Sequence, residues 1–183
     1  MYEDILKSNN KDGTSVHPKI VDASSRIYIS HPFYGLALLD FRFRESKSIP
    51  TIGVHIDSRL RVECLYNRDF IDSCSREKLD FVLIHEVLHI VLRHQSRAER
   101  IANCDPSIAN IAMDMVINNM IKTSMGKKIP SDGQKLPPSY EGEKIFEAVY
   151  QYLLENKNTS NDMNKDTSND MNKDTSNDMN KDT

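Results

Sequence analysis

The chain has 183 residues, 38% of them hydrophobic, and its 27 acidic and 24 basic side chains leave a formal net charge of −3. That imbalance lies in residues 158–183, which hold six Asp and three Lys; the rest carries 21 charges of each sign, so no basic footprint points to nucleic acid. No apolar run approaches the ~18 residues that cross a bilayer, the start Met1-Tyr2-Glu3-Asp4 is unlike a secretory signal, and the three scattered cysteines, Cys64, Cys74 and Cys104, fit a reducing cytoplasm better than a disulfide framework. Neither nucleic acid nor a membrane is the expected partner.

In chain order, residues 1–15 are polar, with Asn9, Asn10, Asp12 and Gly13, and are expected to be flexible; residues 16–155 are expected to form one domain. Residues 20–43 read as helical with a break at His31-Pro32. Proline is tolerated at a helix start, so a second helix can begin there and carry Phe33, Leu36, Leu38 and Leu39. After Pro50 the apolar period drops to two, with Ile52, Val54 and Ile56 on one face and then Val62, Cys64 and Tyr66 on another. Asp57-Ser58 lies between them, which predicts a short antiparallel pair. Ser75 can cap a helix from 76 to about 95, and Asp105-Pro106 one from 106 to about 122. Residues 127–142 hold Pro130, Gly133, Pro137, Pro138 and Gly142 and read as loop. Residues 143–154 form a last amphipathic pattern, with Ile145, Phe146, Val149, Tyr150 and Leu153 on its apolar side. From Thr159 the octapeptide Thr-Ser-Asn-Asp-Met-Asn-Lys-Asp occurs three times. Its single Met cannot offset chain entropy, so 156–183 is expected to be a disordered repeat tail.

The chemistry-bearing segment is 81–92, which contains His85-Glu86-Val87-Leu88-His89. Residues four apart in a helix lie one turn above each other, so His85 and His89 can offer two imidazole nitrogens to one metal ion. Glu86 is rotated about 100° from His85, beside the metal, where a carboxylate can take a proton from water. That is a zinc-hydrolase arrangement. Nine apolar residues surround the three ionisable ones, so the helix should be buried, and buried ionisable groups need partners. The alternative is a pair of hydrogen-bonded core histidines with an ion-paired Glu.

A third protein ligand is then needed. His94 lies five residues after His89; on a regular helix it points about 180° from His85, and it is expected to interact with the terminal carbonyls. Asp114 is the stronger candidate. It sits on a second mostly apolar helix, in a polar stripe with Asn110 and Asn118 at four-residue spacing. The alternative for Asp114 is a bond to Arg93, Arg97 or a helix end. Asn110 and Asn118 suit supporting or packing roles. Tyr140, Arg97 and Tyr66 are donors of a type that stabilises an oxyanion, but spacing places none of them. Two His and one carboxylate suit zinc, and also Mn²⁺ or Fe²⁺.

Several motifs occur together and in order: His31-Pro32-Phe33-Tyr34-Gly35, Ile49-Pro50-Thr51-Ile52-Gly53-Val54, Tyr66-Asn67-Arg68-Asp69-Phe70, His85-Glu86-Val87-Leu88-His89 with His94 and Arg97, and Asn110 to Asn118 around Asp114. In these the chain resembles a family of metallopeptidase domains usually found N-terminal to a von Willebrand factor A-like domain. The resemblance covers about residues 16–154. It implies a zincin-like α+β domain, mostly helical, with a small antiparallel sheet and a central His-Glu-x-x-His helix. It also implies Zn²⁺ on His85, His89 and Asp114, with Glu86 as catalytic base. The expected function is a zinc-dependent metallohydrolase acting on peptide bonds; the alternative is a non-catalytic metal-binding module for protein interaction. By resemblance, an AAA+ ATPase or a von Willebrand A-like protein is a candidate partner.

Overall fold

Two prolines set the start of the helical layer. In this computed structural model, which describes residues 2–9 and 15–157, helix α1 spans Tyr2–Asn9, α2 Pro18–Ser30 and α3 Pro32–Leu39. Pro18 and Pro32 open their helices where the missing N–H has no intrahelical acceptor to lose. His17 completes the start of α2: its Nδ1 accepts the Lys19 N–H at 3.2 Å, and its Nε2 lies 3.2 Å from Asp72. The N-terminal stretch differs from its sequence reading. Leu6 of α1 is fully buried, and Tyr2 stacks on Tyr28 with its hydroxyl donating to the Gly35 carbonyl at 2.7 Å. These anchors are too few and too widely spaced to show as an apolar pattern.

The strands are β1 Arg42–Glu45, β2 Ile52–Ile56 and β3 Val62–Tyr66, in the order β1-β3-β2. β2 pairs antiparallel with β3, Val54 opposite Cys64, as the alternation predicts. The sheet is nevertheless mixed rather than antiparallel, because β1 adds parallel to β3 with Phe43 opposite Cys64. Residues 41–45 are therefore not helical. Arg42-Phe43-Arg44-Glu45 hides one side chain, Phe43, among charged neighbours, and only pairing with β3 decides its conformation.

Beyond the sheet come α4 Arg68–Ser73, α5 Arg76–Val91, α6 His94–Ala98 and α7 Pro106–Met125, followed by a helix over 146–157, here α8. Each of α4, α5 and α7 has its cap. Asn67 accepts from the Asp69 and Phe70 amides, Ser75 from Lys78, and Asp105 from Ser107 and Ile108. Gly126, at φ +63°, ends α7 in the left-handed conformation that suits glycine. α8 starts later than the sequence pattern predicts, so Ile145 is exposed while Phe146, Val149 and Tyr150 are buried.

α5 packs against α2, α3, α7 and β2, burying Leu79, Phe81, Leu83, Ile84, Val87 and Leu88. Burial of six such side chains is worth on the order of 10 kcal/mol before chain entropy, enough to hold ionisable groups on the same helix. The second half of α7 joins this core through Ile117 and Ile121, and its first half packs with α8 in a separate cluster around Phe146. Asp114 lies at the junction of the two. No helix among the described residues is long and apolar enough to cross a membrane. The octapeptide repeats lie outside the described residues.

Two features of this frame can be tested. A Cβ at Gly35 would stand 2.3 Å from the Tyr28 Cα, so Gly35→Ala forces α3 away from α2 and is expected to cost about 1–3 kcal/mol, read as a lower thermal midpoint. Burial, helped by Tyr28, pushes the Tyr2 hydroxyl up to about 12. A folded-state pKa above the unfolded value gives stability that is complete below pH 10 and lost as pH rises through 12. In denaturant titrations Tyr2→Phe should be less stable than the parent at pH 8 by about 1 kcal/mol, yet lose less between pH 10 and 12.

Candidate metal centre

His85 and His89 project from adjacent turns of α5, and Asp114 faces them from α7. The Nε2 atoms of the two rings are 2.9 Å apart, and each lies 3.2 Å from the same Asp114 oxygen, Oδ1. Ligand bonds of 2.0–2.1 Å in a tetrahedron put neighbouring ligand atoms about 3.3 Å apart, so two nitrogens and one oxygen in this triangle fit the donor set of a transition-metal site. The triangle opens into a cleft of about 370 Å³. Thr51, Ile52 and Val54 form one wall, and Pro130 to Gln134 of the loop after α7 form another. Lys78, at the start of α5, ties that loop down through Asp132 at 2.7 Å.

The far side of each ring is also held. His85 Nδ1 lies 2.9 Å from Asn118 Oδ1, while the Asn118 amide nitrogen donates to the Gln134 carbonyl at 2.9 Å. That second bond turns the amide oxygen toward the ring as an acceptor for an Nδ1–H, the tautomer in which Nε2 can serve as a metal ligand. His89 Nδ1 lies 3.2 Å from His94 Nδ1.

Glu86 is 7% exposed, beside the triangle and under β2. The bonds Asp57 N–H to Arg61 O and Asn67 N–H to Thr51 O show that the odd residues of β2 face β3. The even ones therefore turn their N–H and C=O groups outward. The Val54 N–H meets the Glu86 carboxylate there, and the Ile56 N–H donates to Gln95 at 3.4 Å. Burial raises the Glu86 pKa and, although the two facing imidazoles pull the other way, the net shift is upward. Asp114 goes the opposite way. Burial favours its neutral form, but hydrogen bonds from His85 and His89 and their charge prevail and hold it at about 2. For His85, burial lowers the pKa; the Asp114 bond and the charges of Glu86 and Asp114 more than reverse that, and the net direction is upward. The two carboxylates of this cleft are thus shifted in opposite directions.

Residues 16–182 match the family described as "Putative metallopeptidase domain". The chain belongs to this family. Over 104 residues it is also 33% identical to an uncharacterized protein of Thermotoga maritima, a match covering 55% of this chain and 25% of that protein. The chain thus spans about a quarter of the length of the curated relative it matches. No solved structure matches the chain.

In this metallopeptidase-family domain, four residues singled out in the sequence, His85, Glu86, His89 and Asp114, come together at one cleft. Asn110 stands at its rim, 3.5 Å from the second Asp114 oxygen, and Asn118 behind His85. Asp114 faces the histidines; Arg97 instead pairs with Glu147. His94 departs from its sequence reading. It does not cap terminal carbonyls. α5 ends at Leu92, Arg93 adopts φ 54° and ψ 41°, and His94 turns back against His89 at 1% exposure. Neither Gly nor Pro marks that turn, so the sequence pattern predicts a regular helix there. Burial, then the nearby His89 and Arg97 charges, push the His94 ring down to about 3 and keep it neutral. None of Tyr66, Arg97 and Tyr140 lines the cleft: Tyr66 is in the core, Arg97 is held by Glu147 of α8, and the Tyr140 hydroxyl donates to the Glu143 carbonyl at 2.6 Å. The cleft presents Lys78 and Asn110 as donors instead. The outward-facing Val54 amide has a sequence signal, the strict alternation of a strand; its place on the sheet edge has none.

Proposed function

We propose that this domain is a zinc-dependent peptidase of zincin-like organisation, in which His85 Nε2, His89 Nε2 and Asp114 Oδ1 hold one zinc ion and Glu86 is the general base. The observation that carries the reading is the triangle of 2.9, 3.2 and 3.2 Å with a buried carboxylate beside it. Bound there, zinc would supply Lewis acidity, polarising a carbonyl oxygen and making water acidic near neutral pH. The rest is work for the chain. Asp114, held ionised at about 2, offsets the positive charge of the site. Glu86, with its pKa raised, accepts a proton from the attacking water and returns it to the amine nitrogen that departs, ending as it began. The Lys78–Asp132 pair keeps the loop wall against α5 and so fixes the width of the cleft. β2 is a sheet edge on the cleft wall, and strand addition there suits an extended peptide.

Metal analysis and peptide cleavage test this reading together. Purified protein should carry about one zinc per chain by elemental mass spectrometry, and Asp114→Ala should lose most of it while keeping its circular dichroism spectrum. Glu86→Gln should retain the zinc and cut peptide-library turnover by about 10²–10⁴-fold. Undiminished cleavage by Glu86→Gln removes the proposed base, and zinc retained in full by Asp114→Ala removes the third ligand.

A further inference from the structure

We infer that His94 is a positioning residue for the metal centre: its ring accepts the Nδ1–H of His89 and so holds His89 in the tautomer whose Nε2 is free for a metal ion. This rests on the metal-site reading above and adds to it a residue that no part of that reading uses.

Three observations carry it. The first is the contact itself. The Nδ1 atoms of His89 and His94 are 3.2 Å apart, and their rings meet edge-on at 80° with centroids 5.2 Å apart. Two ring nitrogens at this distance share a single proton, so one donates and the other accepts. His89 Nε2 points at His85 and Asp114, and as a ligand it carries no proton. The His89 proton then sits on Nδ1, and His94 Nδ1 must be the acceptor. That puts the His94 proton on Nε2.

The second observation is where that Nε2 lies. It is buried and has no hydrogen-bond partner, and the ring packs against Phe146 with centroids 5.8 Å apart. Leaving a buried N–H unmet is costly, and an apolar residue of similar size would fill the same space without that cost. Packing therefore does not explain a histidine here, whereas an acceptor at Nδ1 does.

The third is the backbone. Arg93 holds a left-handed conformation, uncommon for a residue with a Cβ and strained. In an unbroken helix a residue five past His89 lies roughly 140° around the axis and cannot meet it. The left-handed turn at Arg93 is what returns His94 to His89. The two proposed ligands thus have matching supports from different elements, an amide oxygen on α7 for His85 and an imidazole on α6 for His89.

The test uses the full chain with His94→Leu and His94→Asn, the latter offering Oδ1 where Nδ1 stood. Zinc affinity is measured by competition with a chromophoric chelator, and the thermal midpoint is measured on metal-free protein. His94→Leu should weaken zinc by about 10–100-fold with its metal-free midpoint unchanged or raised, and His94→Asn should recover to within about threefold of the parent. Long-range 15N–1H spectra of the histidine rings in zinc-loaded parent protein should show His89 protonated on Nδ1 and His94 on Nε2. Parent-like affinity in His94→Leu overturns the proposal. So does equal weakening in both variants with lowered midpoints, which would mark a packing role, and so does a His89 Nδ1 without a proton. A parent chain that takes up no zinc overturns the metal-site reading instead, whereas a parent that binds zinc beside a His94→Leu chain of equal affinity overturns this proposal alone.

Discussion

The contact between α5 and α7 brings His85, His89 and Asp114 within 3.2 Å of one another at a largely buried edge of the core, with Glu86, Asn110 and Asn118 beside them. Any one of these groups alone in such a place would be costly to bury. Together they satisfy one another: Asp114 is driven to about 2 by the imidazoles, and His85 is driven upward by Asp114 and Glu86 despite its burial. The rest of the domain answers to that meeting point. α2 and α3 also pack against α5, and their close crossing depends on the missing side chain at Gly35. α7 reaches through two apolar clusters, so its position is held at both ends while its middle supplies the carboxylate.

The supports around the triangle come from parts of the chain far apart in sequence. Asn118 is pinned by the Gln134 carbonyl and in turn faces His85, so the loop after α7 orients a ring on α5 through a residue of α7. That loop is tied to α5 a second time by Lys78 and Asp132. On the opposite side the β2 edge sets the surroundings of Glu86 with an outward amide, a consequence of strand parity and of β2 lying outermost in the sheet. The α6 segment is anchored to α8 by Arg97 and Glu147, and the end of α8 returns to the start of α7 through Lys157 and Asp105 at 2.9 Å. His94 thus packs on Phe146 of the second cluster while it meets His89 of α5.

Much of this architecture is legible in the order of the amino acids. The period of two over β2 and β3 specifies their pairing, because side chains alternate across a strand and one face is buried. Ser75 and Asp105-Pro106 mark two helix starts because an oxygen side chain there accepts amides the helix cannot satisfy. His85, Glu86 and His89 are identifiable because four residues make about one helical turn, so local geometry alone puts both rings on one side. Asp114 stands out as a charged residue within an apolar helix. By contrast, β1 is hidden by its charged residues, α4 by its shortness, although Asn67 is a signal for it, and α1 by having few apolar anchors.

From sequence, then, follow the identity of the polar groups that line the cleft from α5 and α7, the helices that carry them, and the family to which the chain belongs; these rest on short-range periodicity and on the order of motifs along the chain. Tertiary structure alone decided that Asp114 points at the imidazoles and not at an arginine, that the sheet is mixed, that β2 is its outer strand above Glu86, and that a left-handed turn at Arg93 returns His94 to His89. The reason is the same in each case. Residue spacing specifies direction only within one regular element, whereas the distance between elements depends on packing and on backbone turns that a side-chain pattern does not encode.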